Sequence, residues 1–303
     1  MRSAPTERDL RKPLDFSIFF TVLILAGFGL VMVFSASYIT SLESRGDAFF
    51  FLRRQAFWLV LGLVGMIITT NFGYWKWRRL IPIMLFLNFV LLLAVYIPGV
   101  GVEINEARRW IAVGGLTIQP AEFSKLVLII FTAAFLSKKR INMENFWNSS
   151  FVPLAMLGAT FLLILGQPDL GTALVLAAVV GIIVFAAGMP LKQMLSLICV
   201  SFPVFLYFAF SEEYRMRRIF SFLDPWADPL DTGYHIIQSL YALGPGGLFG
   251  VGLGRSRQKL YYLPEPQNDF IFAIIGEELG FLGAVTIMLL FFILFWRGFK
   301  TSL

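Results

Sequence analysis

The sequence predicts an all-α polytopic membrane bundle with about eight transmembrane helices and one large extracytoplasmic loop between spans seven and eight. Three observations support this fold class. Hydrophobic residues make up 58% of the 303 residues and charged residues only 15%, which is more apolar surface than a soluble domain can bury. Several apolar runs approach the roughly 20 residues that a helix needs to cross a bilayer. Lys and Arg are concentrated in alternate connecting segments.

The predicted spans follow from the lengths of the apolar runs. In chain order they are residues 16–38, 51–70, 80–97, 120–136, 151–166, 170–188, 191–210 and 270–296. The fourth run is the weakest candidate, because Glu122 and Lys125 lie in its first turns. We therefore interpret residues 1–303 as one integral membrane domain.

Residues 211–268 are interpreted as a long extracytoplasmic loop within that domain. The Pro- and Asp-rich part of the loop predicts turns. The stretch YHIIQSLYAL is apolar enough to lie on the membrane or dip into it, and the glycines that follow permit a tight loop. A connection this long without obvious regular structure is more often functional than not.

The distribution of basic residues favours a cytoplasmic N-terminus. With that orientation, thirteen Lys and Arg residues fall in inside segments and five in the short outside loops. Six more fall in the loop 211–268, but long loops contribute little to orientation.

Composition also excludes several functional classes. The net charge of +6 is explained by cytoplasmic loops and anionic membrane lipids, so it does not call for a nucleic-acid partner. Cys199 is the only cysteine, so the chain cannot form an internal disulfide. His235 is the only histidine, which argues against a His-rich metal site and against a Ser-His-Asp triad.

Three short motifs place charges near predicted helix ends. In EARRWI, Arg108 and Arg109 beside Trp110 would clamp a phosphate and stack on a sugar, or would form an ordinary interfacial anchor. In QPAEFSK, Glu122 and Lys125 share a helical face and can pair, either as part of a cavity or as a structural ion pair. In GQPDLG, Asp169 is in the position of a stabilising acid at a helix N-terminus. A direct role of Asp169 in function is the less favoured alternative.

The long loop carries an unusual cluster of outer-side cations. The stretches YRMRR and GRSRQK contain Arg215, Arg217, Arg218, Arg255, Arg257 and Lys259. A cluster on this side runs against the usual charge bias of membrane proteins. It suits a polyanion such as a diphosphate, and contact with anionic headgroups is the alternative.

The stretch YLPEPQNDFIFAIIGEELG combines a loop with the start of the last span. Asn268 is a plausible N-cap, which would put Asp269 near the first helical position and at the outer membrane surface. Asp269 would then be either a simple cap or a general base at the mouth of a polar cavity. Glu277 and Glu278 lie deeper in the span and need partners from other helices, for which Lys125 is one candidate.

Taken together, these motifs resemble the SEDS family (shape, elongation, division and sporulation), which comprises the FtsW, RodA and SpoVE proteins. The resemblance is carried by ARRWI, IQPAEFSK, QPDLGTALV, GPGGLFGVGLGRSRQK and YLPEPQNDFIFAIIGEELGFLG, and it covers nearly the whole chain. The stretch LDPWADPLDTGYHIIQSLYALGPGG looks closest to the division and sporulation branch.

The resemblance implies a peptidoglycan glycosyltransferase of the bacterial cytoplasmic membrane. Such an enzyme polymerises lipid II into β-1,4 glycan outside the membrane, releases undecaprenyl diphosphate, and acts with a class B penicillin-binding protein, a transpeptidase. The essential acid of the family corresponds to Asp269, and the family motifs also match Trp110, Glu122 and Lys125. The family usually has ten spans, so we expect this chain to lack the last two.

From these residues we expect Asp269 to deprotonate the acceptor sugar and the loop cations to hold diphosphates. The expected substrate-binding residues are Arg108, Arg109, Trp110, Glu122, Lys125, Asp169, Arg215, Arg218, Arg255, Arg257, Lys259 and Glu265. No metal ligands are assigned, and a divalent cation is left open as a cofactor. A lipid II flippase and a non-catalytic scaffold that recruits a transpeptidase are the alternatives.

Overall fold

The protein is a bundle of apolar helices, as the sequence predicts. A computed structural model describes residues 15–104, 107–114, 116–138, 142–260 and 262–302. Its principal helices are α1 (Phe16–Arg45), α2 (Phe50–Asn71), α3 (Tyr74–Ala94), α4 (Pro120–Leu136), α5 (Phe146–Ser149), α6 (Phe151–Leu165), α7 (Leu170–Ala186), α8 (Leu191–Phe210), α9 (Glu213–Leu223), α10 (Tyr234–Gly246) and α11 (Ile271–Ser302).

Each of the eight predicted spans coincides with one of these helices, with ends that differ by a few residues. Among the described residues, α1, α2, α3, α8 and α11 contain stretches long and apolar enough to cross a membrane, and α6 and α7 are shorter apolar helices. Helix α4, which carries Glu122 and Lys125, belongs to neither group. The predicted helical membrane bundle is therefore confirmed.

The segment between α3 and α4 is not the simple loop that was expected. It forms a three-stranded antiparallel sheet of β1 (Gly101–Ile104), β2 (Ala107–Val113) and β3 (Leu116–Ile118), in the order β1-β2-β3. In the register of β1 and β2, Trp110 lies opposite Val102 and Arg108 lies opposite Glu103. The sheet thus places the residues of the ARRWI motif on its central strand, β2.

The segment 211–268 also contains more regular structure than was predicted. Helix α9 covers the YRMRR motif, and a single 3-10 turn at Pro225–Ala227 is all the helix found in the Pro- and Asp-rich part. The stretch YHIIQSLYAL lies in α10, which continues through Pro245 to Gly246. Regular structure was not obvious from the sequence of this segment, because both helices are short and α10 contains Pro245 near its end.

The described chain falls into two compact units. Unit 1 consists of the residues up to Asn71 together with those from Arg217 onward, and unit 2 is Phe72–Met216. In unit 1, α11 packs against α1 and α10, and α1 packs against α2. Its buried core is formed by Met32, Ala36, Ala242, Leu263, Ala273, Ile274, Ile275 and Ile287.

Unit 2 has its own apolar core. Helix α4 packs against α3, α6 and α7, and α6 packs against α7. The buried residues at its centre are Leu92, Ala121, Leu128, Leu157, Ile164, Ala173, Leu176, Val180, Val184 and Met189.

Helix α11 is broken near its first third. Gly280 has φ 68° and ψ −167°, which is not a helical conformation and which non-glycine residues rarely adopt. The peptide groups freed by the break are paired with the segment after α10. Val251 N–H donates to Glu277 C=O and Phe281 N–H donates to Gly247 C=O, at 3.0 and 2.9 Å. Interrupted helices are tolerated at membrane depth when other protein groups satisfy the backbone in this way.

Candidate functional site

Asp269 lies on the short turn that precedes α11. Its side chain is exposed, and within the described residues it has no hydrogen-bond or ion-pair partner. The expected N-cap at Asn268 was wrong, since α11 begins two residues after Asp269, at Ile271. The Asn268 amide instead donates to the Glu265 carboxylate at 2.8 Å. Asp269 is therefore an available carboxylate on an ordered turn and does not cap the helix.

Glu277 is buried on the first turns of α11 and holds the GRSRQK motif. One of its oxygens accepts from the backbone N–H of Arg257 at 2.7 Å. The other accepts from the hydroxyl of Ser256 at 2.5 Å and, more weakly, from the N–H of Gln258 at 3.4 Å. A buried carboxylate with several donors is satisfied without a counter-ion.

Glu278 is also buried and forms an ion pair with Lys259. The Lys259 Nζ lies 2.8 Å from Glu278 Oε1, and the two side chains are 2% and 0% exposed. The Ser35 hydroxyl of α1 donates to the other Glu278 oxygen at 2.6 Å. The Lys259 ammonium also lies over the ring of Tyr38, 5.1 Å from its centroid. Lys125 was one candidate partner for Glu277 and Glu278, but Lys259 pairs with Glu278, and Glu277 is satisfied by the donors of residues 256–258.

The two arginines of the same motif are placed differently from the lysine. Arg255 and Arg257 have exposed side chains, although the backbone of Arg257 is fixed by Glu277. Arg218 is exposed on α9. The neighbouring Arg217 lies 3.8 Å from Asp231 in an exposed ion pair. Three guanidinium groups of unit 1 that were predicted to bind diphosphate are thus on the surface, whereas the predicted ammonium is not.

In unit 2, Asp169 connects the sheet, α4 and α7. It is the N-cap of α7, where Oδ1 accepts from the Thr172 N–H at 3.1 Å. The Gln119 amide donates to its Oδ2 at 2.9 Å, and Arg109 lies 3.8 Å from its Oδ1. Arg109 also donates to the carbonyl of Pro168 at 2.9 Å. These contacts agree with the interpretation of Asp169 as a stabilising acid at a helix N-terminus.

The remaining predicted residues of unit 2 are partly or fully exposed. Arg108 pairs loosely with Glu103 at 3.7 Å, and Trp110 is half-buried on β2. Lys125 and Glu122 form the expected ion pair at 2.8 Å. Arg215 donates to the carbonyl of Phe208 at 2.6 Å. Glu106, the first residue of the EARRWI motif, lies outside the described residues.

The described parts of the chain contain no group of three or more His, Cys, Asp or Glu side chains that could hold a metal ion. Sequence reasoning also missed residues that organise the site. Ser35, Tyr38 and Ser256 contact the buried charges. The two glutamates of the GEE tripeptide in an apolar segment indicate that polar partners for their side chains exist. Nothing in the sequence points to Ser35 as one of these partners.

Within the described residues, the five helices long and apolar enough to cross a membrane and the two shorter apolar helices define a polytopic helical membrane protein. A family model described as a cell cycle protein, covering FtsW, RodA and SpoVE, matches residues 16–303. The chain belongs to this family.

Named relatives agree with this assignment. The chain is 46% identical over 290 residues to stage V sporulation protein E of Bacillus subtilis (strain 168), which covers 95% of this chain and 79% of that protein. It is 40% identical over 289 residues to a probable peptidoglycan glycosyltransferase FtsW of Geobacter sp. (strain M18), with the same two coverages.

Solved structures also match the fold. One is a chain from a peptidoglycan synthase complex that coordinates polymerization and crosslinking, with a TM-score of 0.71 and 28% identity over 93% of this chain and 76% of that one. Another is the rod shape determining protein RodA of Thermus thermophilus, with a TM-score of 0.63 and 27% identity over 93% and 73%.

Proposed function

We propose that this chain is a peptidoglycan glycosyltransferase that polymerises lipid II into β-1,4 glycan and releases undecaprenyl diphosphate. Family membership and relatives named as peptidoglycan glycosyltransferases support the activity. The observation that carries the catalytic assignment is the exposed, unpartnered carboxylate of Asp269 within the described residues. A carboxylate without a partner is free to accept a proton from a substrate.

In this mechanism Asp269 accepts the proton of the 4-hydroxyl on the acceptor sugar. The oxygen attacks the anomeric carbon of the donor sugar, and the bond from that carbon to the diphosphate breaks. A placed general base contributes roughly 10²- to 10⁴-fold to such a step. The diphosphate leaves with the bonding electron pair, so fixed cations near it lower the barrier.

Exposed guanidinium groups are the best candidates for the diphosphate contacts. Arg255 and Arg257 lie on the exposed side of the GRSRQK motif, and Arg218 is exposed on α9. Guanidinium groups bind phosphate oxygens through two parallel hydrogen bonds. We leave Lys259 out of this set because its ammonium is buried against Glu278, and we assign Asp169 and Arg109 to bracing the sheet against α7.

Arg108, Trp110, Glu122, Lys125, Arg215 and Glu265 stay as proposed contributors to substrate binding. The polyprenyl chain of the substrate requires an apolar groove. Helices α1 and α2 enclose one, with a cavity volume of about 510 Å³, and its lining is mostly aliphatic, including Leu25, Leu59 and Leu63.

We further propose that the N-terminus is cytoplasmic and that Asp269 faces the outside of the bacterial cytoplasmic membrane. The excess of Lys and Arg in the inside segments supports this orientation. We also propose a class B penicillin-binding protein as the partner, because one of the structural matches is a complex that joins polymerization to crosslinking. We propose as well that residues 1–303 belong to one integral membrane domain.

The test is polymerisation of purified lipid II by Asp269→Ala and Asp269→Asn, with and without the transpeptidase. We expect each variant to lose at least about 100-fold in glycan formation while eluting as a folded protein of unchanged size. Glu144→Gln, which neutralises an exposed carboxylate between α4 and α5, is the matched control and should polymerise normally. Wild-type activity in Asp269→Ala would contradict the mechanism, and transport of labelled lipid II without glycan would favour a flippase.

A further inference from the structure

The backbone of the GRSRQK motif is attached to α11 by one carboxylate. Glu277 receives hydrogen bonds from Ser256 Oγ, Arg257 N–H and Gln258 N–H, three consecutive residues. Its side chain is only 1% exposed. Charge-assisted hydrogen bonds of this kind are shorter and stronger than neutral ones, which makes this attachment specific in position.

The same stretch of α11 is held from the other side by backbone pairing. Val251 N–H and Gly252 N–H donate to the carbonyls of Glu277 and Glu278, both at 3.0 Å. Gly250 also has a positive φ of 81° and approaches the backbone at Glu278 so closely that no side chain would fit. Residues 250–258 therefore have little freedom to move relative to the first turns of α11.

Asp269 lies two residues before the start of the same helix segment. The exposed side chains of Arg255 and Arg257 project from the segment that Glu277 holds. One carboxylate therefore ties the backbone of a proposed diphosphate-binding arginine to the helix that begins next to the proposed base. Misplacement of a binding group by about 1 Å is enough to slow a reaction substantially.

We infer that Glu277 is a positioning residue of the polymerase: it sets where Arg257 meets the diphosphate of the substrate. The inference rests on the proposed function and deepens it. Glu277 itself does not contact the substrate. Its effect should therefore be expressed through Arg257, and it should appear in the apparent KM for lipid II before it appears in the turnover number.

The test is a double-mutant cycle on the full-length protein with lipid II as substrate. We expect Glu277→Ala and Arg257→Ala each to raise the apparent KM roughly tenfold, from the loss of a few hydrogen bonds or of one cation. In the double variant we expect little further change, because an arginine that has been removed can no longer be misplaced. Glu144→Ala, an exposed carboxylate, serves as the control that should leave KM unchanged.

Two milder variants keep the test decisive if Glu277→Ala does not fold. Glu277→Gln retains the acceptor for the Arg257 N–H and should recover most of the affinity. Ser256→Ala removes one of the three donors and should raise KM by a smaller factor, again only when Arg257 is present.

Effects on KM that multiply in the double variant, or an Arg257→Ala variant with wild-type KM, would overturn the inference. Inactive Asp269→Ala in the same assay would still support the proposed function, so the two failures are distinguishable.

Discussion

The buried ion pair between Lys259 and Glu278 gives the sharpest stability prediction. Removing one member leaves the other as an uncompensated charge, which costs about 3–5 kcal/mol at a buried site. Lys259→Met leaves the buried Glu278 carboxylate with neutral donors such as the Ser35 hydroxyl and the Ser256 N–H. Glu278→Leu leaves an ammonium that is 2% exposed, with the Tyr38 ring and Ser35 hydroxyl as its remaining contacts.

The double variant Lys259→Met/Glu278→Leu should be less destabilised than the sum of the two single variants. Replacing both members of a buried pair by apolar groups is often neutral, although here the Ser35 hydroxyl and the Ser256 N–H lose their acceptor. We therefore expect a coupling free energy of about 2 kcal/mol or more.

Unfolding in mixed micelles with increasing SDS, followed by tryptophan fluorescence, would measure these free energies. Asp231→Asn is the matched control, because it breaks an ion pair with Arg217 whose side chains are 73% and 56% exposed. Such a pair contributes about 0–1 kcal/mol. Single variants at Lys259 and Glu278 that fall in the control's range, or that add without coupling, would refute the assignment of a buried pair.

Two further predictions concern helix ends. Asp169→Ala should destabilise the protein by about 0.5–2 kcal/mol through loss of the α7 cap. Asp169→Asn should destabilise it by less, because an amide oxygen can still accept from the Thr172 N–H. Thermal unfolding in detergent would rank the two variants. Burial raises the pKa of Asp15, but the N–H groups of Ile18 and Ser17 and the Arg297 guanidinium outweigh this and hold its pKa below the usual 3.8. The contribution of Asp15 to stability is therefore present above pH 3.8 and is lost as the pH falls through the lower folded-state pKa. Asp15→Asn should flatten the acid limb of a plot of stability against pH. An unchanged acid limb would contradict this prediction.

The eight spans could be predicted because the length of an apolar run is a local property of the sequence. The sheet after α3 could not, since its strands have four, seven and three residues and sit in a short outside connection. Helix α10 was hidden by Pro245, which the helix contains near its end. These errors fall where short elements are stabilised by contacts with the rest of the fold.

The candidate site, like the fold, could be predicted from the sequence only in part. The spacing of the QPAEFSK motif predicted the Glu122–Lys125 ion pair, whereas the catalytic role of Asp269 came from the resemblance to the family and stays a proposal. The hydrogen bond from Ser35 to Glu278 could not be found in this way, because the two residues are 243 positions apart in the sequence. A carboxylate in an apolar segment indicates that a partner exists, but only the packing of α1 against α11 determines which residue it is.

The GRSRQK motif shows why a cluster of like charges in a sequence does not form a single binding site. Ser256 and Lys259 are three residues apart and are both buried, whereas Arg255 and Arg257 are exposed. A lysine stays charged in the interior only with a close partner, and Glu278 provides one. The exposed guanidinium groups have no such constraint and remain available to a diphosphate. The buried lysine and glutamates thus hold in place the backbone from which the proposed diphosphate-binding arginines project.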